Sequence, residues 1–152
     1  MSTLIHKWVA DCRAGRNPRL VGRVKSGWVV LGEVQVVPGY CLVLPDPVVP
    51  HLNVMEKDAR ELLWRDVGGV GDGLLTLTDA LRCNYELLGN LEPALHVHIF
   101  PRYASEPQAL RSKPIWFYDW EAAPRFDATA DADLINSLRS YLDRAGLLQV
   151  SD

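Results

Sequence analysis

The stretch Leu95-His96-Val97-His98-Ile99-Phe100-Pro101-Arg102 alternates apolar and polar side chains. That period of two predicts a β-strand with Leu95, Val97 and Ile99 on one face and His96, His98 and Phe100 on the other. Pro101 has no N–H and is expected to end the ladder, putting the imidazoles on the last residues of the strand, near a sheet edge or rim. Earlier in the chain, Leu4, Ile5, Trp8, Val9 and Cys12 recur at helical spacing, which predicts a short amphipathic helix over residues 2–13, stopped by Gly15 to Pro18. Residues 20–24 and 28–31 read as a hairpin around Lys25-Ser26-Gly27. Residues 33–37 and 39–44 are rich in β-branched and apolar side chains and read as further strands bent apart at Pro38-Gly39.

Asn53 followed by Glu56 has the spacing of a capping box and predicts a helix start. The apolar stripe Ala59, Leu62, Leu63, Val67, Val70, Leu74, Leu77 and Leu81 extends that helix for more than twenty residues. Gly68, Gly69, Gly71 and Gly73 within it point to close backbone packing or a kink. Residues 84–88 predict a strand, Gly89 to Pro93 a turn, and the histidine strand its antiparallel partner. After Arg102 comes an irregular stretch with Trp116, Phe117, Tyr118 and Trp120. A last helix is predicted over residues 131–144, with Leu134, Ile135, Leu138, Tyr141 and Leu142 inward and Gly146 as its stop.

Length changes this picture only by limiting it: 152 residues, 48% of them hydrophobic, suit a single domain with one well-filled core. The formal net charge of −3 offers no basic field for long nucleic acid, while a small anion can be held by local N–H groups and imidazoles. Cys12, Cys41 and Cys83 are odd in number, widely spaced and without a Cys-x-x-Cys pair, which argues against a disulfide framework and a structural zinc site and fits a reducing, cytoplasmic setting. No apolar run approaches the roughly 20 residues of a membrane span, and the charged N-terminal stretch lacks a signal-peptide core.

The chemistry concentrates at His96 and His98. A neutral imidazole, with an ordinary pKa of about 6.5, is a ready nucleophile near neutral pH once an acceptor holds its other nitrogen as N–H, and a strand carbonyl can be that acceptor. Attack on a phosphate ester or anhydride would give a nucleotidyl-imidazole, with the second imidazole donating to the phosphate oxygens; no metal or cofactor is required. Two other readings of the pair stay open: an ordinary half-buried pair of strand histidines, or half of a zinc or iron site completed by His6 or His51. The Trp116 to Trp120 cluster suits packing of the core or of a dimer, or stacking on a base.

The run from His96 to Arg102 resembles the end of the motif of the histidine triad (HIT) superfamily, and Val37-Pro38-Gly39-Tyr40-Cys41-Leu42-Val43-Leu44-Pro45 resembles that superfamily's strand before its long helix. The similarity covers about residues 28–103. It implies an α+β fold with an antiparallel sheet, a long helix after the first strands and a C-terminal helix. It also implies a homodimer and hydrolysis or transfer of nucleotidyl groups on a small nucleotide such as a dinucleoside polyphosphate or nucleoside phosphoramidate. A nucleotide-binding or regulatory module with the same fold is the alternative.

The register that keeps Pro101-Arg102 at the motif's end assigns His96 to the nucleophile, His98 to the third histidine and Ala94 to the first. By this resemblance the first position orients the nucleophile largely through its backbone carbonyl, which Ala94 retains. Arg102 suits a phosphate contact or a salt bridge fixing the strand end, and Asn90, the one obvious neutral donor in the loop before the motif, suits a contact on the phosphate side or the holding of the tight turn; His51 sits where a histidine often follows the superfamily's strand. Gly32, flanked by Glu33, stands where many members grip the ribose. Tyr40 stands where the superfamily commonly has a further histidine, and interiors packed to near-crystalline density lead to the expectation that Tyr40 fills the space left at Ala94, behind His96 and His98.

Overall fold

The computed structural model describes residues 2–150. Helix α1 (Leu4–Arg13) is followed by strands β1 (Leu20–Val24), β2 (Gly27–Leu31) and β3 (Cys41–Pro45), helix α2 (Lys57–Leu77), strands β4 (Arg82–Glu86) and β5 (Val97–Arg102), and helix α3 (Ala132–Arg144). The strands form one antiparallel sheet in the order β1-β2-β3-β5-β4. The architecture is α+β.

Side chains of β5 alternate as their period requires, and each face of the sheet has its own apolar layer. Leu95, Val97 and Ile99 pack with Leu63, Val67, Val70 and Leu74 of α2 and with Leu138 and Leu142 of α3. Ala94 and Phe100 pack on the other side with Ile5, Val9 and Cys12 of α1. Every residue of β5 is buried, because β3 and β4 flank it and helices or loops cover both faces.

The strand is therefore interior, which corrects the expectation of an edge or rim. The histidines stand at its beginning: His96 immediately precedes it, and His98 pairs with Leu42 on one side and Glu86 on the other. Pro101 does not end the strand. The Arg102 carbonyl accepts from Leu81 N on the β4 side, so Pro101 turns its nitrogen toward β3, where pairing has already stopped at Cys41 and Ile99.

Several local boundaries differ from the sequence pattern for identifiable reasons. Helix α1 begins with Thr3 as its cap, in a capping box whose third helical residue is His6 rather than a carboxylate. Helix α2 begins after Glu56, which makes no side-chain cap bond; Asn53 lies in the 3₁₀ turn Leu52–Val54, and extended Met55 separates the two. The helix ends where Thr78 turns extended, its hydroxyl donating to the Leu74 carbonyl at 2.6 Å, so Leu81 lies beyond the stripe and is exposed. Strand β4 lies two residues earlier than predicted.

Residues 33–37 form no sheet strand. Their backbone bonds instead to the segment near Arg125, through Phe126 N to the Glu33 carbonyl (2.9 Å) and Gln35 N to the Pro124 carbonyl (2.7 Å). The Gln35 side chain donates to the carbonyls of Gly32 and Tyr40 and accepts from Gly39 N, closing the turn before β3. That turn uses a positive φ of 87° at Gly39.

Gly69, Gly71 and Gly73 of α2 serve close packing, and Gly68 does not. A Cβ at Gly73 would stand 2.8 Å from Leu138 Cδ1 and 2.9 Å from Tyr141 Cδ1 of α3, whereas a Cβ at Gly68 would meet nothing within 4 Å. The two sites should respond oppositely to one added methyl group. Gly73→Ala is expected to destabilise by roughly 1–3 kcal/mol through overpacking, and Gly68→Ala to stabilise by about 0.5–1 kcal/mol through helix propensity. Urea unfolding of both variants reads the difference.

Candidate active site

His96 and His98 stand side by side with ring centroids 4.8 Å apart and planes at 72°, each only 8% exposed. Buried imidazoles need partners, and each ring has one. His96 Nδ1 lies 2.7 Å from the Ala94 carbonyl oxygen. A carbonyl can only accept, so Nδ1 carries the proton and, in the neutral ring, the lone pair is left on Nε2. The orienting group is thus backbone and asks nothing of the side chain at position 94. His98 Nδ1 lies 2.7 Å from the Tyr40 hydroxyl.

A cavity of ≈ 390 Å³ lies over the pair. Helix α1 supplies Leu4, Ile5 and Trp8 to its wall, the loop before β5 supplies Asn90 and Leu91, and the segment after β5 supplies Trp116. Trp116 and Trp120 stack at 4.9 Å and present an edge to the histidine face, Trp116 to His98 at 5.5 Å and Trp120 to Phe100 at 6.2 Å. The aromatic run therefore completes the core beside Phe100 and also walls the cavity through Trp116.

The remaining candidate residues are placed as follows. Asn90 and Tyr40 line the cavity with the histidines. Tyr40 and Ala94 share one buried layer, but the phenol ring lies on Phe100, with centroids 4.3 Å apart, and its hydroxyl reaches His98. His51 lines, with His96, Leu52, Leu87 and Leu95, a separate smaller cavity of ≈ 230 Å³.

Arg102 is not brought to the histidine cavity. Its buried guanidinium pairs with Glu106 (3.0 Å) and donates to Asn84 Oδ1 (2.8 Å) and to the carbonyls of Leu110 and Arg111, fastening the segment after β5. Glu33 is exposed and faces Arg125 at 3.8 Å, also away from the cavity. A larger open groove of ≈ 830 Å³ runs along β4 beside Arg82, Arg111 and Lys113 and includes neither histidine. Among the described residues no group of three or more His, Cys, Asp or Glu side chains is placed to hold a metal ion.

Sequence reasoning found α1 but not its part in the site. The bond from Leu4 N to Glu92 Oε2 (3.1 Å) joins the first turn of α1 to the loop before β5 across 88 positions of sequence. No periodicity signals such a contact.

No family model matches the chain, and no curated protein matches it. Solved structures do. A histidine triad protein from Bradyrhizobium japonicum superposes with a TM-score of 0.70 at 24% identity, covering 80% of this chain and 88% of that one. One from Marinobacter aquaeolei VT8 gives 0.73 at 18% identity over 95% and 98%. The chain has the histidine triad fold. A hypothetical histidine triad nucleotide-binding protein from Sulfolobus tokodaii strain7 shares that fold, with a TM-score of 0.68 at 18% identity over 91% of this chain and 92% of that one. In this example of the histidine triad fold the backbone carbonyl of Ala94 makes the bond to His96.

Burial, and after it the charge of His96, hold His98 down to about 4. Between that value and the ordinary pKa of about 6.5, the unfolded chain takes up a proton that the folded ring resists, so stability falls as pH drops through this window. The contribution is on the order of 3 kcal/mol. Denaturant unfolding at pH 7 and pH 4.5 should show wild type losing more stability than His98→Asn; equal losses would contradict the assigned environment.

Proposed function

We propose that the chain is a nucleotidyl hydrolase or transferase that works through a covalent intermediate on His96. The observation that carries this reading is the 2.7 Å bond from His96 Nδ1 to the Ala94 carbonyl, which leaves an unshared pair on Nε2 of a ring lining the cavity. The nucleotide-binding description of the Sulfolobus tokodaii protein of like fold supports a small nucleotide as ligand.

In this scheme Nε2 attacks phosphorus, forming the N–P bond while the bond to the leaving group breaks with its electron pair. An amine leaving group takes its proton from water. The ring becomes positively charged, and the Ala94 carbonyl oxygen, already bonded to Nδ1–H, stabilises that charge. His98, with its ring centroid 4.8 Å from that of His96, donates in this scheme to a phosphoryl oxygen. Water then attacks phosphorus and gives up a proton to solvent as the N–P bond breaks, its electron pair returning to Nε2 and the nucleotide leaving; a second nucleophile in place of water makes the same step a transfer.

A binding or regulatory module is the second reading. It is favoured by the cavity wall, to which no Lys or Arg among the described residues contributes and Glu92 does, leaving His98 and Asn90 to meet phosphate charge. As an enzyme the chain works as a homodimer in this proposal, because β4 is the last strand of the sheet and its unpaired edge is a template for a partner chain.

Incubation with dinucleoside polyphosphates, nucleoside phosphoramidates and nucleotide sugars, read by product release and covalent mass gain, separates the readings. Turnover supports the enzyme, and saturable binding without products supports the module. His96→Ala should lower kcat by about 10³-fold or more with the fold retained, since a nucleophile has no substitute. Near-normal turnover in a folded His96→Ala protein would refute the mechanism. Light scattering at micromolar concentration tests the dimer, which a mass of 17.0 kDa would exclude.

A further inference from the structure

His98 can assist at phosphorus only if the nitrogen left for a ligand carries a proton, and nothing in β5 itself decides that. We propose that Tyr40 is a positioning residue that fixes the tautomer of His98, its hydroxyl donating to Nδ1 across 2.7 Å so that the ring holds its one proton on Nε2. The role rests on the reaction proposed above and adds to it the group that makes His98 a donor. The two histidines are then complementary: His96 presents a lone pair on Nε2 and His98 presents an N–H on Nε2.

The direction of the Tyr40 bond follows from what each partner can do. Tyr40 is 5% exposed, and His98 is the one hydrogen-bond partner of its hydroxyl among the described residues. If His98 Nδ1 were the donor, the hydroxyl proton would be buried without an acceptor; with the hydroxyl as donor both atoms are satisfied. Burial also holds the phenol well above its usual pKa, so the proton stays on oxygen. His98, held down to about 4, is neutral and carries a single proton.

The placement of the phenol is set by its surroundings. The ring lies on Phe100, with centroids 4.3 Å apart, and meets Trp120 edge-on at 6.0 Å. Gln35 Nε2 holds the Tyr40 carbonyl at 3.0 Å. On the remaining side the ring passes over Gly32: a Cβ there would stand 2.2 Å from Tyr40 Cδ2 and 2.3 Å from Cε2. The bare backbone at Gly32 and the phenol at Tyr40 are thus one feature, since any side chain at position 32 would push the hydroxyl away from His98.

Tyr40→Phe keeps the ring and removes only the oxygen. The direct readout is the ¹⁵N NMR signature of His98 in the resting protein at neutral pH, identified among the four histidines by its loss in His98→Asn. Wild type is expected to show protonated Nε2 and unprotonated Nδ1, and Tyr40→Phe a mixture of the two tautomers. On any substrate the wild type turns over, Tyr40→Phe should lower kcat by about 10- to 100-fold while KM moves by no more than about 2-fold. A proton on Nδ1 in wild type, or an unchanged signature in Tyr40→Phe, overturns the assignment. So does a changed signature with unchanged kcat. Because the NMR measurement needs no substrate, a wild type inactive on the whole panel would count against the proposed reaction and leave the tautomer to be read independently.

Discussion

Strand β5 is covered on both faces, and that burial constrains everything around it. A covered apolar face imposes nothing beyond volume, which α2 and α3 supply to Leu95, Val97 and Ile99. A covered face that holds two imidazoles must also supply polar partners, because an unpaired buried nitrogen costs about 1–3 kcal/mol. The structure answers with two bonds of 2.7 Å, one to the Ala94 carbonyl and one to the Tyr40 hydroxyl. These are at once the terms on which the histidines can be buried and the terms that set where their protons lie.

Much of the remaining chain is arranged to keep that face closed. Helix α1 lays Ile5, Val9 and Cys12 against it. Asp46, at the end of β3, accepts from Arg13 of α1, from Arg23 of β1 and from Trp28 Nε1 of β2, and these donors hold its carboxyl well below the usual carboxylate range. One carboxylate thereby ties the covering helix to three strands. On the other side of the site Arg102, with Glu106 and Asn84, fastens the segment that carries Trp116 and Trp120 over Phe100. Arg102 acts on the cavity by anchoring its wall rather than by touching a ligand.

The chemistry follows from the same economy of partners. The bond that orients His96 makes no use of the side chain at position 94, since its acceptor is the Ala94 backbone carbonyl. The Tyr40 ring occupies room that the bare backbone of Gly32 provides. What remains open is an apolar cavity with the imidazoles and Asn90 among its few polar groups, in which electrostatic interactions with a phosphate are stronger than they would be in water.

Periodicity alone determined the alternation of β5, the two faces it separates, the 21-residue helix α2 and the C-terminal helix, because each is a local repeat read directly from residue spacing. The run from His96 to Arg102 likewise pointed, without coordinates, to the histidine pair and to the Ala94 carbonyl as the partner of His96. Tertiary structure decided the rest, wherever a residue's role depends on a distant partner. Residues 33–37 have strand-like composition yet bond to the segment near Arg125 instead of to the sheet. Asn53 has a cap's identity but sits in a separate 3₁₀ turn. Arg102 has a phosphate ligand's chemistry but its donors are taken by Glu106, Asn84 and two carbonyls. The partner of His98 is 58 residues away and that of Leu4 is 88 residues away; contacts of that range depend on which surfaces meet, and no local pattern encodes them.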